Sequence, residues 1–228
     1  MAGDRSALAL KSIAKTLARV YPGVEPNPDP FHFIVWENCG YLVDDTRRAE
    51  VFEGVRRKTG LEAGAVAKLS ALELTKLLQG SGLYPEKRAG RLKEIAGVIA
   101  AHGGNLAAVL AGLPLPKARA FLKSFPAVAD AGADRILLFA DIAPQAALDS
   151  NGLRVFVRLG LTKEHSSYST TYREAVNAVR EHGVAKAEWL KQLYCVMRMH
   201  GKTLCKRTPL CSQCPLEARC PKMKITRL

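Results

Sequence analysis

The sequence predicts an all-α fold. Apolar residues return near a 3.6-residue period, no stretch shows the alternation of a half-buried strand, and Gly and Pro punctuate the chain into short loops. In the segment 6–20, Leu8, Leu10, Ile13, Leu17 and Val20 fall near one helical face, and Pro22 and Gly23 end it. Pro26, Pro28 and Pro30 make a stiff connector. Residues 31–43 are apolar enough for a buried helix, and Asp44, Asp45 and Thr46 supply a cap for another reaching about residue 59. Further helices are expected at 70–79, 85–101, 105–111, 115–124 and 131–140, then at roughly 150–160, 168–182 and 186–199.

With 228 residues the chain can bury a full core, as one large or two small domains. A hydrophobic content of 48% with 7% aromatics fits a folded, soluble protein. No apolar run reaches membrane-spanning length, and the N-terminus from Met1 lacks the charged-then-apolar layout of a secretion signal. Clustered thiols without such a signal point to the reducing cytoplasm, where cysteines bind metal rather than pair. Cys39 and Cys195 stand apart in apolar stretches and read as buried core thiols. The net charge is +13, and about half of that excess lies beyond His200, where seven Lys/Arg meet only Glu217. A basic field of this size fits a polyanionic partner, nucleic acid above all.

Cys205, Cys211, Cys214 and Cys220 fall as C-x5-C-x2-C-x5-C, four soft ligands within sixteen residues. So short, charged and Pro-broken a segment cannot build its own core, and its thiolates suit zinc or an iron–sulfur cluster. Zinc sites usually come as two close pairs, whereas here one C-x2-C is flanked by single cysteines. The pattern therefore favours a [4Fe–4S] cluster, with zinc or disulfides as the alternatives. His200 is expected to pack beside the centre without ligating it. His32, His102, His165 and His182 show no metal spacing and read as solvent or helix-end residues. The Ser/Thr run at 166–171 reads as a loop and helix cap.

The tail from His200 to Cys220 closely resembles the iron–sulfur loop of the endonuclease III branch of the helix-hairpin-helix DNA glycosylases. Upstream, 123–138 resembles the hairpin and its second helix. Between them, Leu148, Asp149, Asn151, Arg154 and Val155 form a Leu-Asp-x-Asn-x-x-Arg-Val string. It resembles the family's catalytic-aspartate element, in a form closer to the adenine glycosylases. The resemblance runs from about residue 26 to the C-terminus. It implies a helical barrel at 26–138 ending in the hairpin, and a cluster domain made of 1–25 and 139–228, flanking a DNA-binding cleft.

Three departures bear on function. The family's hairpin is Leu-Pro-Gly-Val-Gly, whose amides face a DNA phosphate. Here Phe125, Pro126, Ala127, Val128 and Ala129 stand instead, and left-handed Ala costs roughly 1–2 kcal/mol. The hairpin is then either reshaped or a weaker phosphate holder. Bifunctional members carry a hairpin lysine where this chain has Ala131, which cannot form a Schiff base. The first cysteine gap is five residues where the family usually has six, tightening the loop of Lys206 and Arg207.

Breaking an N-glycosidic bond builds positive charge on the sugar, which a carboxylate near C1′ stabilises while orienting a water. Asp149 is the candidate, and the same residue reads as an N-cap. The base must also leave the stack. In the family this work falls to the stretch holding Trp36, Glu37, Asn38 and Tyr41, with Glu37 as a proton donor if burial raises its pKa, and Trp36 or Tyr41 as stacking partners. All four have structural readings as well, as core aromatics or surface polars. The expectation is a monomeric, monofunctional glycosylase in the cytoplasm, associated with the nucleoid, acting on alkylated, deaminated or mispaired bases in double-stranded DNA. A glycosylase/lyase using Lys117 or Lys123, and a non-catalytic damage sensor, are the alternatives.

Overall fold

The computed structural model describes residues 2–22, 28–183 and 185–228, with the side chains of 2–9 set aside. The helix stop at Gly23 and the connector residue Pro26 lie outside the described residues, as do Met1 and the side chain of Leu8. Twelve α-helices make up the fold among the described residues, and the one strand-like pairing is an isolated bridge between Tyr41 and Gly82. No helix among them is long and apolar enough to cross a membrane. The chain forms two compact units, Pro26–Ala129 and Met1–Glu25 with Asp130–Leu228. The division falls at Asp130, ahead of the boundary after 138 read from the sequence.

The first unit holds α2 (Pro30–Asn38), α3 (Asp45–Thr59), α4 (Ala63–Lys68), α5 (Ala71–Leu77), α6 (Pro85–Ala101), α7 (Leu106–Ala111) and α8 (Leu115–Lys123). Asp29 starts α2, its carboxylate accepting from the amides of Phe31 and His32, and Asp44 caps α3 through the Arg47 amide. Ser70 and Glu73 form a reciprocal capping box on α5. α6 is the core helix, with Ala89, Leu92, Ile95, Ala96 and Ile99 at most 1% exposed and α2, α4 and α5 packed on it. At its start, buried Arg88 donates to the carbonyls of Asn38 (2.8 Å), Leu83 (3.1 Å) and Gly82 (3.4 Å).

Two differences from the sequence reading have physical causes. The apolar run to 43 does not stay helical, because α2 ends at Asn38 and the chain turns to pair Tyr41 with the 81–82 loop. The loop is apolar because Cys39 and Gly40 are themselves buried, so composition hides the helix end. α4 was not anticipated: six residues give too little periodicity, although Ala63 and Val66 are buried.

The second unit combines α1 (Ala2–Val20) with α9 (Asp130–Phe139), α10 (Ser150–Arg158), α11 (Tyr168–Glu181) and α12 (Ala187–Thr203), followed by 3-10 turns at Cys211–Gln213 and Glu217–Arg219. α12 is its spine. It meets α10 where Gly201 touches the backbone of Asn151, and α9 through Tyr194, which lies edge-on to Phe139 at 5.2 Å. Arg219 fastens the tail to α1, donating to Ser12 Oγ and Thr16 Oγ1 at 3.0 Å each.

A Cβ at Gly201 would lie 2.4 Å from the Asn151 carbonyl oxygen, a backbone atom that cannot turn away. Gly201→Ala is therefore expected to push α10 off α12 and destabilise the protein by about 1–3 kcal/mol, read as a lowered midpoint in urea unfolding. An unchanged midpoint would contradict this close helix crossing.

Candidate active site and cysteine centre

Asp149 is the N-cap of α10, with extended backbone (φ −86°, ψ 178°). Its Oδ1 accepts from the Gly152 amide at 2.8 Å, which fixes the carboxylate against the helix end. Its Oδ2 accepts from Asn151 Nδ2 at 3.1 Å and lies 3.4 Å from Arg198 Nε. The cap and the candidate catalytic acid are thus one group: one oxygen serves the helix, the other sits among polar donors. The side chain is 15% exposed, secluded but reachable. Arg198 was not anticipated, since it comes from α12 and only tertiary packing brings it to Asp149.

Tyr168 opens α11, at the start expected for the helix read at 168–182. Its ring stacks parallel on Tyr172 (6.5 Å between centroids, 9° between planes), and the Tyr172 hydroxyl donates to buried Asp134 at 2.9 Å. Burial first, then the Asp149 carboxylate, push the Tyr168 phenol up to about 12, so it stays a neutral hydrogen-bonding group. Part of its ring remains exposed.

Arg154 joins this site to the cysteines. The residue is 8% exposed, and its guanidinium donates to Asn151 Oδ1 (2.8 Å), the Gly201 carbonyl (3.0 Å) and the Cys205 carbonyl (3.0 Å). Arg158, one turn on, donates to the Cys205 carbonyl (3.0 Å), to Cys205 Sγ (3.3 Å) and to the carbonyls of Lys206 and Arg207. The loop backbone is clasped while the side chains of Lys206 and Arg207 point to solvent.

Cys205, Cys211, Cys214 and Cys220 line one cavity of about 70 Å³, with Val155, Leu159, Leu204 and Leu216 supplying apolar wall. Among the described residues no three His, Cys, Asp or Glu side chains converge closely enough to hold a single metal ion. The cavity is larger than a water site, and thiolates are a ligand type that zinc and iron–sulfur clusters both take. Burial raises the Cys214 and Cys220 thiols above their ordinary value. His200 is 1% exposed and places Nε2 3.6 Å from Cys214 Sγ and Nδ1 3.1 Å from the Tyr21 hydroxyl. Burial holds its pKa at about 4, so it is neutral at physiological pH.

At the hairpin position, Ala127 keeps the left-handed conformation that glycine would favour (φ 66°). Val128 N closes the turn onto the Phe125 carbonyl at 3.1 Å, and Ala127 and Ala129 are exposed. The turn between α8 and α9 thus carries a left-handed, exposed alanine.

The remaining candidates behave differently from one another. Trp36 packs edge-on to Phe52 (5.5 Å) with the Arg48 guanidinium over its ring (5.6 Å). Glu37 lies 3.7 Å from Arg48 and its side chain is 39% exposed, which is not the seclusion a raised pKa requires. Asn38 is spent on its own helix, donating to the Ile34 carbonyl at 2.9 Å. Tyr41 is off the helix and 49% exposed, beside Leu42 (78%) and opposite Leu83 (51%). Gly82 permits that pairing, since a Cβ there would meet the Tyr41 carbonyl oxygen at 1.9 Å.

This is the helical fold of the endonuclease III-like, helix-hairpin-helix glycosylases. No family model and no curated protein sequence matches the chain. Among solved structures it is similar to a trapped endonuclease III–DNA covalent intermediate (TM-score 0.74, 18% identity, 95% of this chain and 96% of that one). A thermostable thymine-DNA glycosylase is as similar (0.74, 18%, 97% and 98%). The H. pylori 3-methyladenine DNA glycosylase MagIII, bound to 1,N6-ethenoadenine, follows at 0.64 and 19%, covering 88% and 94%. At these identities the likeness establishes the shared fold.

Ala127→Gly relieves the left-handed alanine and is expected to stabilise the protein by about 0.5–1 kcal/mol, part of the gain being lost to the freer unfolded chain. A higher urea midpoint checks it; a lower one would mean that the turn is not strained.

Proposed function

We propose that this protein is a monofunctional DNA glycosylase of base excision repair, hydrolysing the N-glycosidic bond of a damaged or mispaired base with Asp149. The reading rests on one observation above all: in a glycosylase fold, the carboxylate of Asp149 is immobilised by Gly152 and Asn151 with Arg198 against its second oxygen. A carboxylate so held stabilises the oxocarbenium-like sugar and orients a water toward C1′. The neutral phenol of Tyr168 adds a hydrogen-bonding group within the field of that acid. With Ala131 at the position where bifunctional enzymes carry lysine, the amine-driven lyase step has no nucleophile there. Alkylated and deaminated bases are the favoured substrates, in keeping with the ligands and names of the neighbours.

Double-stranded DNA is the partner, and the protein acts as a monomer. The 127–129 turn holds a backbone phosphate through the amides of Ala127 and Ala129, that of Val128 being taken by the Phe125 carbonyl, and Lys206 and Arg207 add charge from the cysteine loop. Tyr41, with Leu42 and Leu83, supplies exposed apolar surface able to fill the gap left by an extruded nucleotide. Trp36 and Asn38 shape the local helix end rather than touching the base, and the exposed, paired Glu37 is not assigned the proton-donor role. Cys205, Cys211, Cys214 and Cys220 carry a [4Fe–4S] cluster, whose part is to hold the basic loop in place.

A panel of duplexes, each with one modified base, scored for base release with and without alkali, tests this reading. Release is expected only on a subset, with strand breaks appearing only after alkali and no borohydride-trapped adduct. Asp149→Asn should slow release at least about hundredfold. Unchanged release in that variant, or a trapped adduct, would defeat the mechanism.

A further inference from the structure

The cysteine centre has a fixed hydrogen-bonding neighbour that plays no part in the base-excision reading. His200 sits on the last turns of α12, nearly sealed from solvent, with both ring nitrogens aimed at named atoms. Nε2 faces Cys214 Sγ at 3.6 Å, a normal N–H···S separation, and Nδ1 faces the Tyr21 hydroxyl at 3.1 Å. Tyr21 in turn lies 2.8 Å from Thr203 Oγ1, one turn along the same helix.

A neutral imidazole has one N–H and one bare nitrogen, and the partner of one fixes the other. A ligating cysteine is a thiolate, which only accepts, so the nitrogen facing Cys214 carries the proton. Nδ1 is then the acceptor and takes the Tyr21 O–H, while the Thr203 hydroxyl, which also donates to the Met199 carbonyl at 2.8 Å, shares its proton between that carbonyl and the Tyr21 oxygen. The Cys205 side has a comparable donor in Arg158 Nη1, 3.3 Å from its sulfur, whereas Cys211 has no such side-chain donor among the described residues. Backbone amides reach the sulfurs as well, Leu216 N at 3.4 Å from Cys214 Sγ and Lys222 N at 3.4 Å from Cys220 Sγ, and His200 adds a side-chain donor at Cys214.

We infer that His200, held in one tautomer by Tyr21, donates a hydrogen bond to the Cys214 sulfur and sets the reduction potential of the cluster bound there. The inference rests on the [4Fe–4S] assignment above and extends it. A donor to a ligating sulfur stabilises the more electron-rich form of the cluster, because reduction adds charge that the N–H dipole faces. His200 is a positioning residue in this sense: it touches a ligand, not the substrate.

The test compares the wild-type protein with His200→Leu, His200→Gln and Tyr21→Phe, each purified anaerobically, assayed for iron and titrated on an electrode for its midpoint potential. The expected result is a more negative potential in His200→Leu, by the equivalent of about tenfold in the oxidised–reduced equilibrium, or ~59 mV for one electron. His200→Gln, which keeps an N–H near the same place, should recover most of that shift, and Tyr21→Phe should move the potential in the same direction as His200→Leu. Equal potentials in the wild type and His200→Leu would overturn the inference while leaving the cluster assignment intact. Should His200→Leu fail to retain iron, an unshifted potential in Tyr21→Phe would overturn it instead. A wild-type protein that takes up no iron would defeat the cluster reading itself.

Discussion

One buried guanidinium holds together the parts on which the proposed chemistry depends. Taking Arg154 out of water costs several kcal/mol, and burial lowers its pKa, with Arg158 adding like-charge repulsion. That cost is offset only because acceptors wait for it on three segments: Asn151 in α10, Gly201 near the end of α12 and Cys205 at the head of the cysteine loop. Planar and multiply bonded, it cannot shift toward one partner without leaving another carbonyl unsatisfied. The position of Asn151 is set by Arg154, and Asn151 in turn bonds Asp149. Asp149 and the cysteine loop are therefore not independent modules. A change in the loop backbone at Cys205 reaches the carboxylate through two side chains.

Local chemistry was legible in the sequence, and tertiary chemistry was not. The cysteines and the Asp149 string were readable because their spacing along the chain is the feature that matters. Helices with long amphipathic faces, such as α6 and α12, were readable for the same reason, although α12 runs to Thr203, past the expected end near 199. Arg198, Arg158 and Tyr168 escaped because nothing in their own neighbourhood marks them. They acquire roles only when α12, α10 and α11 come together. Glu37 was singled out by the family's pattern, which carries no information on its surroundings: Arg48, from the next helix, lies beside it and its side chain stays partly in water.

Three of the six left-handed non-glycine residues described lie where the proposed function needs a fixed shape, the others being Leu61, Asp141 and Lys222. Among non-glycine residues, Leu42, Tyr84 and Ala127 all have left-handed backbone, at φ 59°, 57° and 66°. Each such residue costs of order 1 kcal/mol and persists only where its surroundings impose it. Leu42 and Tyr84 flank the Tyr41–Gly82 bridge, whose loops Arg88 holds by the carbonyls of Asn38, Gly82 and Leu83. Exposed apolar side chains on a loop anchored this way lose little further freedom when they enter a duplex. A flexible loop bearing the same residues would have to give up that entropy on binding.

For the proposed DNA binding, the alanine hairpin shifts the balance of contacts. Ala127 reproduces the backbone path of a glycine turn but adds a methyl group at the surface where a phosphate must approach the amides. That methyl would keep a phosphate oxygen from close contact, so the amide contribution would be smaller than at a glycine turn. Affinity then leans on Lys206 and Arg207, whose side chains are free because Arg158 holds the backbone beneath them. Charge–phosphate binding of this kind weakens with salt in proportion to the number of phosphates neutralised, whereas amide–phosphate bonds at a fixed turn add orientation. On the proposed reading, such an enzyme would find duplex DNA through its basic loop and rely on the Asp149 site, rather than on a tight grip at the hairpin, to decide which sugar is cut.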